Sequence, residues 1–228
     1  LAQRNVIAGN LSAGINIDGG SGNTVQGNFI GLTQSGTEPL SNGAFGIAVF
    51  ASTSNMIGGS FGGAGNVVAA STSINISLQG GSNNNTVQGN LIGTNAAGTA
   101  VVGANQNGIY LIGSNGNAIG GSLGARNVIA GSAGSGQVVL GTGSTSNLVQ
   151  GNYIGTDITG TVALPNSTWG IQIGSSGNSI GGTVATGAAN VISGNAAGGI
   201  ALFAAATGNT IHGNRIGTAA DGVTALPN

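Results

Sequence analysis

The stretch Gln150-Gly151-Asn152-Tyr153-Ile154-Gly155 decides the fold of this chain, because it recurs. The pattern Gln-Gly-Asn-x-Ile-Gly also begins at Gln26 and Gln88, and at His212 with His in first place, each step being 62 residues. A second string, Asn-Val-(Ile/Val), begins at Asn5, Asn66, Asn127 and Asn190, and a third, Ile-Gly-Gly, at Ile57, Ile119 and Ile180. Self-similarity at a fixed period marks a repeat architecture, in which each unit buries its apolar face against its neighbours.

The 62-residue unit is itself double. Apolar-x-apolar runs begin at Ile15, Ile47, Ile76, Ile109, Val138, Ile171 and Ile200, with spacings of 32, 29, 33, 29, 33 and 29 residues. Each coil opens on a strand such as Gly14-Ile15-Asn16-Ile17. A second strand follows an Asn corner, as in Asn23-Thr24-Val25, and a third follows another Asn, as in Asn28-Phe29-Ile30. Alternation with period 2, broken every few residues by Gly or Asn, reads as short strands. A helix would lose roughly 1 kcal/mol at each Gly relative to Ala. The expected fold is therefore all-β: a parallel β-helix of about seven coils of alternating ~29 and ~33 residues, on the order of 35 Å long at a ~4.8 Å rise.

Three inward columns follow from the register. One runs Ile15, Ile47, Ile76, Ile109, Val138, Ile171, Ile200, and a second Val25, Ile57, Val87, Ile119, Val149, Ile180, Ile211. The third runs Ile7, Ile30, Val68, Ile92, Ile129, Ile154, Ile192, Ile216. Gly is expected to supply corners of positive φ, and Asn to tolerate the left-handed region and stack in hydrogen-bonded ladders. The long coils add excursions, Gly31–Asn42, Gly93–Asn105, Gly155–Asn166 and Gly217–Asn228, expected to project from one side on alternate coils.

The phrases Asn5-Val6-Ile7-Ala8-Gly9-Asn10, Gly151-Asn152-Tyr153-Ile154-Gly155-Thr156 and Thr224-Ala225-Leu226-Pro227-Asn228 resemble the right-handed parallel β-helix repeats of large bacterial surface and secreted proteins, within the pectin-lyase-like superfamily. The resemblance runs along the whole chain. It implies the right hand of the coil and an extracellular or cell-surface location, and it carries no particular activity. The chain reads as one solenoid, 1–228, either a fragment of a longer array or a filament subunit whose uncapped ends would be adhesive.

Composition narrows the function. Gly accounts for 48 of 228 residues and Asn for 28, while the charged residues are three Arg, three Asp and one Glu, for a net charge of −1. No basic patch offers the counterion release on which nucleic-acid binding depends. The longest apolar run, Ile200 to Ala206, is too short to span a bilayer. With no Cys there is no thiol nucleophile or disulfide, and one His among scattered acids has no metal-ligand spacing. No catalytic, metal or cofactor site is assigned, and the chain is expected not to be an enzyme.

The few polar candidates read mainly as structural. Asp157 and Asp221 lie two coils apart, near the separation of an inverting-glycosidase pair, yet their equivalents in other coils are Asn95, Ala219, Thr159 and Ser35. His212 replaces a Gln rung, and Arg4 and Arg126 read as isolated solvated charges four coils apart.

A different feature suggests a contact surface. The third-strand residue before the inward aliphatic points outward, and up the rod it reads Val6, Phe29, Val67, Leu91, Val128, Tyr153, Val191 and Arg215. An apolar strip of this kind marks a contact with another rod or domain unless the excursions cover it. The function expected first is a non-catalytic extracellular scaffold (stalk, adhesin or filament module) that associates laterally or end to end. The alternative is a polysaccharide-binding or polysaccharide-degrading β-helix that uses its excursion loops, with Trp169 as a stacking ring. A third reading, ice binding, suffers because the recurring Thr sit in loops.

Overall fold

The computed structural model describes residues 4–103, 105–122, 124–164, 166–204 and 206–228. Ala104 and Pro165, within two of the expected excursions, lie outside the described residues, as do the chain's first three residues. The chain coils into a parallel β-helix with three sheets. Seven strands, from Ala13–Asp18 to Gly198–Leu202, form the first-strand sheet, and seven, from Thr24–Val25 to Thr210–His212, form the second. The third has eight, from Val6–Ile7 to Arg215–Ile216. A single 3-10 turn, Val184–Thr186, is the only helical element among the described residues.

The three columns stack as the repeat predicts. Ile15 pairs with Ile47, Ile47 with Ile76, Ile76 with Ile109, and so on to Ile200. Most of these aliphatics are wholly buried and form one continuous core along the rod. Each contributes roughly 1.5–3 kcal/mol on burial, which two- to six-residue strands could not supply alone.

Two asparagine ladders flank this core. In one, each side-chain amide donates to the next carbonyl oxygen through Asn5, Asn28, Asn66, Asn90, Asn127, Asn152, Asn190 and Asn214, at 2.8–3.1 Å. The other runs through Asn23, Asn55, Asn85, Asn117, Asn147, Asn178 and Asn209 at 2.9–3.2 Å. The rungs hold corners that would otherwise bury unpaired backbone groups. The expected left-handed asparagines need a correction: among the described residues only Asn84 has positive φ, and the ladder asparagines serve through side-chain hydrogen bonds instead.

Each excursion starts at a glycine of positive φ, Gly31, Gly93, Gly155 and Gly217. At Gly93 a Cβ would also collide with the carbonyl oxygen of Ala130 in the next coil, so only Gly fits. Each excursion closes on itself through an antiparallel bridge: Leu32 with Pro39, Thr94 with Val101, Thr156 with Ala163, and Thr218 with Ala225. Successive excursions then bond directly, Ala96 N–H to Gly36 O, Ile158 N–H to Gly98 O and Ala220 N–H to Gly160 O, each 2.9 Å. They stack on one side and fold back over the third-strand sheet, forming a second layer there.

Candidate functional site

The strip read from the third strands exists as a column: Val6, Phe29, Val67, Leu91, Val128, Tyr153, Val191 and Arg215 pair in that order. As a contact surface it needs correction. Val67, Val128, Tyr153 and Val191 are at most 8% exposed; Phe29 and Leu91 are half-buried, and Val6 alone is exposed. The cause is the folded-back excursion layer. Gly36 sits against the Phe29 ring, Gly98 against Leu91 and Gly160 against the Tyr153 ring, while Leu32 and Val102 of the loops pack on Val67. Most of the strip is thus the floor of an internal layer, and only Val6, Phe29 and Leu91 among its apolar residues keep appreciable exposure.

The aspartates of the excursions are engaged within their own loops. The Asp157 carboxylate accepts from Thr159 Oγ1 and from the N–H groups of Thr161 and Val162, and Asn95 closes its loop by accepting from Thr99 N–H. Asp221 accepts from Thr224 Oγ1 and from the N–H groups of Val223 and Thr224. These bonds, the Thr224 hydroxyl foremost and the Arg215 charge least, lower its pKa to about 2. A carboxyl so acidic is no proton donor near neutrality. His212 ends the outermost second-strand segment, exposed, at the register where Gln26 and Gln150 donate to Gly58 O and Gly181 O of the next coil.

The outer face of the first-strand sheet carries an open cleft. Alternation sends Ile15 and Ile17 inward and Asn16 and Asp18 outward. Up the rod the outward positions pair Asn16 with Ala48 and Ser77, and Asp18 with Phe50 and Gln79. A cleft of about 550 Å³ opens there, lined by Asn16, Asp18, Phe45, Phe50, Ser77 and Gln79 among others. Phe45 and Phe50 belong to one strand, Phe45–Phe50, with small Ala48 between them. The Phe50 ring is 51% exposed and lies against Gly80 of the next coil, which leaves room for it. Gln79 donates through Nε2 to Ser77 Oγ at 2.6 Å, which orients its amide. Asp18 is exposed and is the only carboxylate in the lining.

The same face continues upward with Tyr110 beside Gly141 and Trp169 stacked on Gly198. Four of the eight aromatic side chains (five Phe, two Tyr, one Trp) thus lie along one sheet face. Of these four, sequence reading singled out Trp169 as a stacking ring. The period-2 alternation of the first strands would have placed Phe50 and Tyr110 outward.

No family model matches the chain, and no curated protein matches its sequence. Among solved structures it is similar to the crystal structure of the periplasmic alginate epimerase AlgG, at 15% identity and a TM-score of 0.49, over 88% of this chain and 47% of that one. The chain therefore spans about half the length of the structure it resembles. One expectation is corrected by this match: a chain of this kind is not thereby a non-enzyme, since the matching β-helix is an enzyme. At this identity the likeness concerns the fold and transfers no reaction.

Proposed function

We propose that the chain binds polysaccharide along the outer face of its first-strand sheet. The observation that supports this is the cleft between Phe45 and Phe50, with amide, hydroxyl and carboxylate groups in its lining. Exposed rings take the apolar faces of sugars, and fixed polar groups meet their hydroxyls. The repeat extends that face along the rod, which suits a chain ligand more than a compact one. Such a ligand is met outside the cell or at its surface, and that location is part of the proposal. The scaffold reading stands behind this one, because the strip meant to join rods is covered by the excursions.

The test is affinity electrophoresis through gels containing neutral or uronate-bearing polysaccharides. At least one should retard the protein, and Phe50→Ala should weaken that retention about tenfold, the worth of ~1.4 kcal/mol. Phe50 is exposed, so the variant should keep its β-sheet circular dichroism. Unchanged mobility in every gel, or retention indifferent to Phe50→Ala and Phe45→Ala, would overturn the proposal. Asp18→Asn divides binding from turnover: loss of product formation with retention intact would assign the cleft a reaction as well.

A further inference from the structure

We propose that Arg4 and Arg126 mark a second, separate site, which takes an extended anionic glycan laid parallel to the rod axis. The two arginines hold the register immediately before Asn5 and Asn127 of the first ladder, and the three rungs between them are preceded by Gly27, Gly65 and Gly89. These glycines let neighbouring backbone pack close between the two cations: a Cβ on Gly65 would collide with Gly89 O, and one on Gly89 with Gly59 O. Both arginines line a single cleft of about 460 Å³, together with glycines such as Gly65 and Gly89, the apolar Leu91 and Ile158, and Phe61, which is 83% exposed. This corrects their reading as isolated solvated charges.

Each guanidinium is held in place. Arg4 lies over the Phe29 ring at 4.9 Å and donates to Gly65 O at 3.3 Å. Arg126 lies over the Tyr153 ring at 3.9 Å and donates through Nε to Gly151 O at 2.9 Å. Among the described residues neither makes an ion pair, and no carboxylate lines the cleft. A smaller adjoining cleft is lined by both Arg126 and Arg215, so all three basic residues of the chain border one continuous edge. Arg215 is partly answered by Asp221, which it helps to acidify. Arg4 and Arg126 are not answered.

Spacing selects the ligand. Four strand steps separate the two arginines, about 19 Å at the inter-strand distance, which no single small anion bridges. Two half-buried cations with an exposed phenyl ring in the same cleft fit a chain with anionic groups at intervals and sugar faces between them. Nucleic acid fits less well, since its affinity grows with many neutralised phosphates.

The experiment measures retardation in gels of polygalacturonate, dextran sulfate, neutral dextran and poly-dT, at low and high NaCl. Polygalacturonate or dextran sulfate should retain the protein, the one that does so naming the anionic group. Retention should fall with salt. Arg4→Gln and Arg126→Gln should each weaken it about tenfold, in line with a charged hydrogen-bonding partner lost, while Arg126→Lys keeps part of it. Phe61→Ala, on an exposed ring, should weaken it several-fold with the thermal midpoint unchanged, so a misfolded Arg variant does not decide the matter. Retention by neutral dextran equal to that by the charged gels overturns the inference. So does tighter retention by poly-dT, or retention that Arg4→Gln, Arg126→Gln and Phe61→Ala all leave unaltered. Phe50→Ala should leave this retention in place, which separates failure here from failure of the sheet-face cleft.

Discussion

At the scale of single residues, the asparagine rungs do the work that side-chain hydrophobicity cannot. Asn90 is fully buried. Its Nδ2 donates to Ile57 O at 2.9 Å and to Asn127 Oδ1 at 3.1 Å, and its Oδ1 accepts from the backbone and side-chain nitrogens of Asn66, both at 3.0 Å. Asn90→Ala therefore strands donors and acceptors in two neighbouring coils as well as its own. A buried group left unpaired costs about 1–3 kcal/mol, so a loss of about 3 kcal/mol is expected, read as a lowered urea midpoint. A loss below about 1 kcal/mol would mean that water replaces the rung. The ladder was legible from sequence, because Asn recurs there in every coil.

Among the elements, the excursions determine which surfaces remain available. Their antiparallel closure and mutual hydrogen bonds turn four loops into a layer over the third-strand sheet. Tyr153 shows the consequence: its ring lies between Gly160 of the loop and the Arg126 guanidinium. Truncating a buried aromatic costs about 3–5 kcal/mol, and a carboxylate in its place adds desolvation. Tyr153→Asp is thus expected to lower the thermal midpoint sharply and broaden the near-ultraviolet signal, with no change in mass by sedimentation. If the folded protein instead lost a dimer at unchanged midpoint, the strip would be a contact surface after all. Sequence located this strip and its outward direction. It did not show the cover, because a loop's path across a sheet depends on the loop stacked above it, two coils away.

For the molecule as a whole, stability follows from stacking, since the core of each coil packs on the coils directly above and below it. Ile119 has coils on both sides and is 0% exposed; Ile211, in the same column, is 39% exposed. Ile119→Ala is expected to cost about 2–5 kcal/mol, and Ile211→Ala roughly a third of that or less. Denaturant titration of the two variants checks the difference. Equal losses would indicate that the end coil is packed in solution as tightly as the middle.

What the sequence determined by itself was the translational order of this protein. Side chains alternate faces along a strand, and a 62-residue period brings equivalent positions into register, so the columns from Ile15 to Ile200 and the ladder from Asn5 to Asn214 could be read off directly. What only the tertiary structure decided was lateral. The excursions lie flat over Tyr153, the rings of Phe45 and Phe50 border a cleft, and Arg4 shares a groove with Arg126 across four coils. Periodicity specifies which residues stack along the axis. It is silent on side-chain reach and loop direction across it, because these depend on the space left by small residues such as Gly80, Gly89 and Gly160 in neighbouring coils.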